Sequence, residues 1–229
     1  MPDPRSFFDS FKSFIWDIIS YFGPGIYFLI LVSIFVLHKY SIQLPRFAQK
    51  SETFEVLTLA YILGYIIYAY SHFIEISQGR RSPRKIVLKN IQKEATFKVG
   101  KSILVNKYAS DSAFKRNLTS MDIEDLRNIA MGFSPESDQK VYTFMFRSKL
   151  CRHIAAVSLI IGIIGLLNFA CSFILPSIVF FQVGEQFVFM YVLLIASSFL
   201  LSRSRDYFYR IAMILPFQLL ISQDGLRTK

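Results

Sequence analysis

Charge and reactive side chains are scarce in this chain. Of 229 residues only 18% are charged, two are Cys, three are His and one is Trp. Soluble domains carry about 25% charged residues, so 53% hydrophobic residues leave too little polar surface to face water. Lipid is expected to hide the excess. Cys151 and Cys171 are separated by about 30 Å if the segment between them is helical, too far to pair within one chain. They read as small packing residues, and no zinc spacing exists. His38, His72 and His153 stand in no metal-ligand spacing with one another or with Cys. There is no phosphate-cradling Gly loop and no nucleophile motif. The chain is therefore read as non-enzymatic, with no cofactor and no metal.

What is abundant is apolar and aromatic: 24 Phe, 12 Tyr and a mean hydropathy of +0.40. The apolar residues gather in four stretches, roughly 21–38, 54–73, 154–174 and 187–201. A bilayer core of about 30 Å needs about 17–25 helical residues. Backbone groups in lipid must be paired internally, which helices achieve alone. The 154–174 run lacks the alternation of a barrel strand. The expected fold is all-α: an integral membrane protein with four transmembrane helices and a small basic helical cytosolic insert. The first twenty residues lack the form of a secretory signal. Asp3-Pro4 reads as a helix start, and Phe7, Phe11, Phe14 and Ile18 share one face. A separate interfacial helix over 1–20, with Trp16 and Tyr21 at headgroup depth, is expected; packing on a neighbouring bundle accounts for the face equally well.

The polar residues concentrate between the second and third stretches. Residues 76–153 hold most of the Lys and Arg of a chain with formal net charge +10. The positive-inside rule places that insert, and with it both termini, in the cytosol. The 39–53 connection, with Lys39, Arg46 and Lys50, argues the other way and is outnumbered. The domains are then 1–20, the hairpin 21–75, the basic insert 76–153, the hairpin 154–202 and a cytosolic or interfacial tail 203–229. Within the insert, Ser82-Pro83 opens a helix expected to reach Val99 and stop at Gly100. Thr119-Ser120 with Asp122, Glu124 and Asp125 reads as the capped, acidic first turn of a helix closed by Gly132. Ser134-Pro135-Glu136 opens another, and no breaker precedes Pro176, so one helix is expected from Pro135 to Leu175. In the tail, Arg203–Asp206 and Asp206–Arg210 have ion-pair spacing. The run 211–221 is interrupted by Pro216 and too short to span. It reads as an interfacial or re-entrant segment, or as a surface that docks on the insert.

Two sets of residues are candidates for function. Tyr61, Tyr65, Tyr68, His72 and Glu75 recur every three or four residues along one face of the second span. Tyrosine within a span needs a hydroxyl partner. Ala60 and Gly64 beside it have small-xxx-small spacing, as do Ser158 and Gly162 in the third span. A helix seam with hydrogen bonds and the semi-polar wall of a pore between protomers both explain the stripe. The second set is Arg81, Lys85, Lys89 and Lys93, extended by Lys101, Lys107, Lys115 and Arg116, with Tyr108 and Phe114 as stacking surfaces. Like charges at helical spacing repel and call for a counter-anion. Lipid headgroups, the acids Asp122, Glu124 and Asp125, and a nucleotide or single-stranded nucleic acid are the three choices.

Two helical hairpins flanking a small basic helical insert resemble the small membrane effectors of bacterial anti-phage defence, among them channels regulated by nucleotides or DNA oligomers such as the Hailong type. The resemblance is architectural, and no residue is carried over from it. It implies an ion channel in the bacterial inner membrane that depolarises the cell on infection, with the signal made by a nucleotidyltransferase-type partner enzyme. The residues by themselves lead to a compatible reading. Four spans lack a polar path of their own, so a pore requires a homo-oligomer that gathers the inserts into a positive ring. The competing reading is a membrane scaffold or anchor whose insert binds lipid headgroups or an acidic protein. A transporter fits less well, because no span carries a midplane ionisable residue or a broken helix.

Overall fold

The structure is a computed structural model that describes residues 4–37, 50–79, 82–108, 118, 120–134, 136–174 and 179–227. Every regular element among them is helical. In chain order these are α1 (Pro4–Val32), continued by a π-helical turn Ser33–Leu37, α2 (Lys50–Gln78), α3 (Pro83–Ile91), α4 (Ala95–Lys107), α5 (Ile123–Gly132), α6 (Glu136–Ser172) and α7 (Glu185–Arg227). Four of them are long and apolar enough to cross a membrane, over Ile18–Val36, Phe54–Gln78, Asp138–Ser172 and Glu185–Gly225. The chain divides into two units, residues 1–77 with 149–204 and residues 78–148 with 205–229. Both division points in the second half fall inside unbroken helices, α6 and α7.

The first unit is apolar, and its helices approach through small residues. A Cβ added at Gly25 would overlap the Ala60 carbonyl, and one at Gly64 would overlap the Tyr21 carbonyl. The backbones of α1 and α2 therefore touch at both places, as small residues permit where water drives no association. Gly162 lies against the Ile195 side chain and the Tyr191 carbonyl of α7, and Gly165 against the Tyr191 ring. Leu31, Phe35, Val157, Ile161, Tyr191 and Leu194 form the buried centre. Outside it, Phe54, Phe73, Leu167, Phe189 and Phe199 lie exposed, a surface suited to acyl chains rather than water. The Tyr27 hydroxyl meets Ser158 Oγ at 2.8 Å. Asn168 Oδ1 accepts from the backbone N–H of Phe180 at 2.8 Å and of Phe181 at 3.3 Å, which ties the segment before α7 to the end of α6.

The second unit has its own core: Ile91, Phe97, Leu104, Leu118, Ile123, Leu126 and Ala130, closed by Tyr209, Met213, Ile214, Phe217 and Leu220 of α7. The 211–221 run is thus the central post of this unit, and Pro216 sits inside α7 without ending it. Of the alternatives for that run, packing on the insert is the one found. Several expectations need correction. The helix expected from Ser82 to Val99 is two helices, because Lys93 N–H and Glu94 N–H close tight turns on the carbonyls of Asn90 and Ile91 at 3.0 and 2.9 Å. Gly100 stops nothing. It lies buried within α4, where a Cβ would come 2.8 Å from Phe217 Cβ. Asp206 pairs with Arg205 at 2.7 Å, not with Arg203 or Arg210, and Arg210 reaches Glu94 at 2.7 Å instead. At the N-terminus α1 runs unbroken from Pro4 into the first apolar stretch, so no separate helix over 1–20 exists. Asp3 lies outside the described residues, as do the side chains of Phe7, Phe11, Phe14 and Trp16.

The acid-rich start of α5 matches its sequence: Asp122 caps it by accepting from Asp125 N–H at 3.0 Å, and Gly132 is its last residue. α6 is a single helix of 37 residues, as the absence of breakers implies. Gly25→Val and Gly64→Val are expected to cost at least about 1–3 kcal/mol each, since overpacking against backbone leaves nothing free to yield. The thermal unfolding midpoint of detergent-purified protein measures this. Gly132→Ala, which meets nothing within 4 Å, should leave it in place.

Candidate functional site

The tyrosine stripe of α2 is split by its surroundings in the first unit. Tyr21 of α1 inserts its ring among Tyr61, Tyr65 and Tyr68, with centroids at 6.2, 5.5 and 5.2 Å. Tyr68 also stacks on His72 at 6.2 Å and meets His153 edge-on at 5.5 Å. Such offset and edge-on pairs are the favoured aromatic geometries. Glu75 is bound by the Arg152 guanidinium, which also donates to the Ser71 carbonyl. His153, 2% exposed, has Nδ1 at 3.3 Å from Ser71 Oγ. Tyr68 and Glu75 therefore serve the seam of α1, α2 and α6, while Tyr61, Tyr65 and His72 keep an open edge.

Sequence reasoning missed Arg152, His153, Ser71 and Tyr21 as members of this cluster. Arg152 and His153 directly precede the 154–174 run, so they read as its polar border. Their partners lie on α2, at a sequence separation of 77 for the Arg152–Glu75 pair, which spacing cannot reveal. The arrangement joins two helices through a charge-assisted bond at the polar end of their apolar stretches. The hydroxyl that lies beside a base, Ser71 Oγ at 3.3 Å from His153 Nδ1, is buried between the helices. Among the described residues no cluster of His, Cys, Asp or Glu is placed to hold a metal ion.

In the second unit the acids are engaged internally. Arg84 Nε donates to Glu124 Oε1 and to the Tyr209 hydroxyl, both at 2.9 Å. Its Nη2 donates to the two Glu124 oxygens at 2.5 and 2.6 Å, and the Tyr209 hydroxyl donates to Glu124 Oε1 at 2.6 Å. Burial pushes the Glu124 carboxyl up. The hydrogen bonds from Arg84 and Tyr209, with the Arg84 and Arg127 charges, outweigh it and hold the group below its ordinary 4.5. Burial likewise acts to lower the Arg84 pKa, and the bond to Glu124, together with the Tyr209 hydroxyl and the Glu124 charge, more than reverses it. Glu94 holds Arg210 through two bonds of 2.7 and 3.0 Å.

The lysines are left over. Lys85 and Lys89 on α3, Lys93 in the following turn and Lys98 on α4 are exposed, and among the described residues none makes an ion pair. Among the described residues none of Asp122, Glu124 and Asp125 forms an ion pair with a lysine of this face. Lys93 has left the α3 helix and does not continue the Lys85–Lys89 row. Lys101 is half-buried on α4, and Lys107 Nζ lies 4.7 Å over the Phe133 ring, a cation–π contact. Tyr108 packs on Phe133 at 5.9 Å, so it is no free stacking platform. Arg81, Phe114, Lys115 and Arg116 lie outside the described residues.

The fold thus defines an all-helical protein with four helices fit to cross a membrane and a second unit that displays lysine. In comparisons with protein families, with curated proteins and with solved structures, nothing matches the chain.

A carboxylate with a lowered folded pKa adds stability above its unfolded value, lost as pH falls through the folded value. The unfolding midpoint of the second unit should stay level from pH 7 to about 5 and drop below the ordinary 4.5 of Glu124. Glu124→Gln should cost about 1 kcal/mol at pH 7, after discounting for partial exposure, and should weaken the acid dependence. Amide hydrogen exchange in α3 and α5 across that pH range measures both.

Proposed function

We propose that the chain is the subunit of an oligomeric membrane pore, an ion-channel effector gated by a polyanionic ligand bound on its basic unit. The ligand is a nucleotide or single-stranded nucleic acid, the setting bacterial anti-phage defence, and the location the inner membrane with both termini cytosolic. A partner enzyme of nucleotidyltransferase type makes the signal. The observation that carries the reading is the continuity of α6 and α7, each of which belongs in part to the lysine-bearing unit and in part to the apolar unit. A change in the helical ends of the first reaches the second along unbroken hydrogen-bonded backbone. Lys85, Lys89, Lys93 and Lys98, which make no ion pair among the described residues, support an anionic ligand, because every mobile cation that a lysine displaces from a phosphate adds to binding. The open edge of Tyr61, Tyr65 and His72 supplies semi-polar wall once several copies surround an axis.

The ligand shifts the gate only by its differential affinity for open and closed states. Triple charge reversal, Lys85→Glu with Lys89→Glu and Lys93→Glu, touches no residue of either core. Each lost phosphate contact near the surface is worth about 1 kcal/mol, so binding of a short oligodeoxynucleotide should fall at least about a hundredfold. Membrane depolarisation on expression should lose its dependence on the ligand-producing partner. Unchanged binding together with unchanged depolarisation excludes the gating scheme. If expression never depolarises the membrane, with or without partner, the scaffold reading replaces the pore.

A further inference from the structure

The first unit contains a cavity of about 370 Å³ lined by Phe28 of α1, by Leu63, Ile66, Ile67 and Tyr70 of α2, and by Ala156, Val157 and Ile160 of α6. That volume lies in the range of small-ligand pockets. Its walls are hydrocarbon apart from the Tyr70 hydroxyl. Val157 forms a buried floor at 2% exposure, whereas Ile66 at 56%, Tyr70 at 50% and Ile160 at 36% form a rim that reaches the surface. α6 presents the short side chain of Ala156 to the hollow. All three wall helices belong to those long and apolar enough to cross a membrane, so on that reading the rim faces acyl chains.

The walls are hydrocarbon, and charge selects the occupant. On α6, Lys149 precedes Ala156 by two turns on the same face, about 10 Å along the axis. Lys149 is exposed and makes no ion pair among the described residues. It stands beside the basic border of the apolar run, where a headgroup belongs when a tail lies at Ala156. Long cationic side chains at that depth reach the phosphate layer.

We infer that this cavity seats one acyl chain of an anionic phospholipid, with Lys149 holding the phosphate and the Tyr70 hydroxyl at the mouth. The site is independent of the pore reading and stands or falls separately from it. Full-length protein in nanodiscs, irradiated with phosphatidylglycerol carrying a diazirine in its acyl chain, should be labelled chiefly at Leu63–Tyr70 and Ala156–Ile160. Ala156→Trp fills the hollow and displaces several methylenes, so labelling there should drop at least about tenfold. Lys149→Glu, a surface change that leaves the fold alone, should lower phosphatidylglycerol labelling about fivefold while leaving the phosphatidylcholine analogue unchanged. Label spread evenly onto Phe199 and Leu200 of α7 would mean ordinary surrounding lipid and overturn the inference. So would indifference of the label to both variants, or copy-to-copy crosslinking through Ala156→Cys that excludes the lipid probe.

Discussion

Lipid offers a polar group nothing to bond with, and burial among apolar helices imposes the same demand. In the first unit each polar contact described meets it from a neighbouring turn or helix. Tyr27 finds Ser158, Asn168 takes the backbone at Phe180 and Phe181, and Tyr191 donates to the Gln182 carbonyl at 2.9 Å. Ser198 returns its hydrogen to the Ile195 carbonyl at 2.7 Å. Arg152 satisfies Glu75 and Ser71 together. Backbone groups of α1, α2, α6 and α7 are paired inside the helices. With no hydrophobic drive between rods in lipid, contact rests on close approach at Gly25, Gly64, Gly162 and Gly165. Those glycines and these bonds are what turn four apolar segments into one packed unit.

The second unit has a compact aliphatic and aromatic core, and its charges are sorted by how many partners each finds. Two carboxylates, Glu94 and Glu124, tie α7 to the turn before α4 and to α5. Both sit on the margin of the core, where a bond to a charged partner is worth more than at the open surface. Lys85, Lys89, Lys93 and Lys98 make no ion pair among the described residues and remain exposed. Glu94 and Glu124 thus serve cohesion, and their partners are arginines rather than lysines.

Legibility in the sequence followed the range of the interactions. Helices set by composition and local signals were readable: the four long apolar segments, the acidic start of α5, though its cap is Asp122 rather than Thr119-Ser120, and the unbroken course of α6. Features set across the fold were not. Gly100 has the look of a helix stop, yet it is there for the Phe217 ring. Pro216 looks like an interruption, yet tertiary packing of Met213, Phe217 and Leu220 keeps the helix whole. The i,i+4 pairing of Asp206 with Arg210 loses to a two-bond carboxylate on another element. Of the candidate sites, the tyrosine stripe was visible as a pattern, but its division into seam and open edge required Tyr21 and Arg152, which come from other helices. The lysine surface was visible as charge alone; which acids would be taken elsewhere was not.

The account rests above all on α6 crossing the bilayer with its basic end inside. Cys171 near one end of α6 and a cysteine in place of Lys149 near the other, each as the sole thiol of its chain, report this directly. A membrane-impermeant maleimide applied to intact spheroplasts should label Cys171 and should reach the Lys149→Cys thiol only after permeabilisation. Equal labelling of the two in intact cells, or labelling of the Lys149→Cys thiol alone, would contradict it.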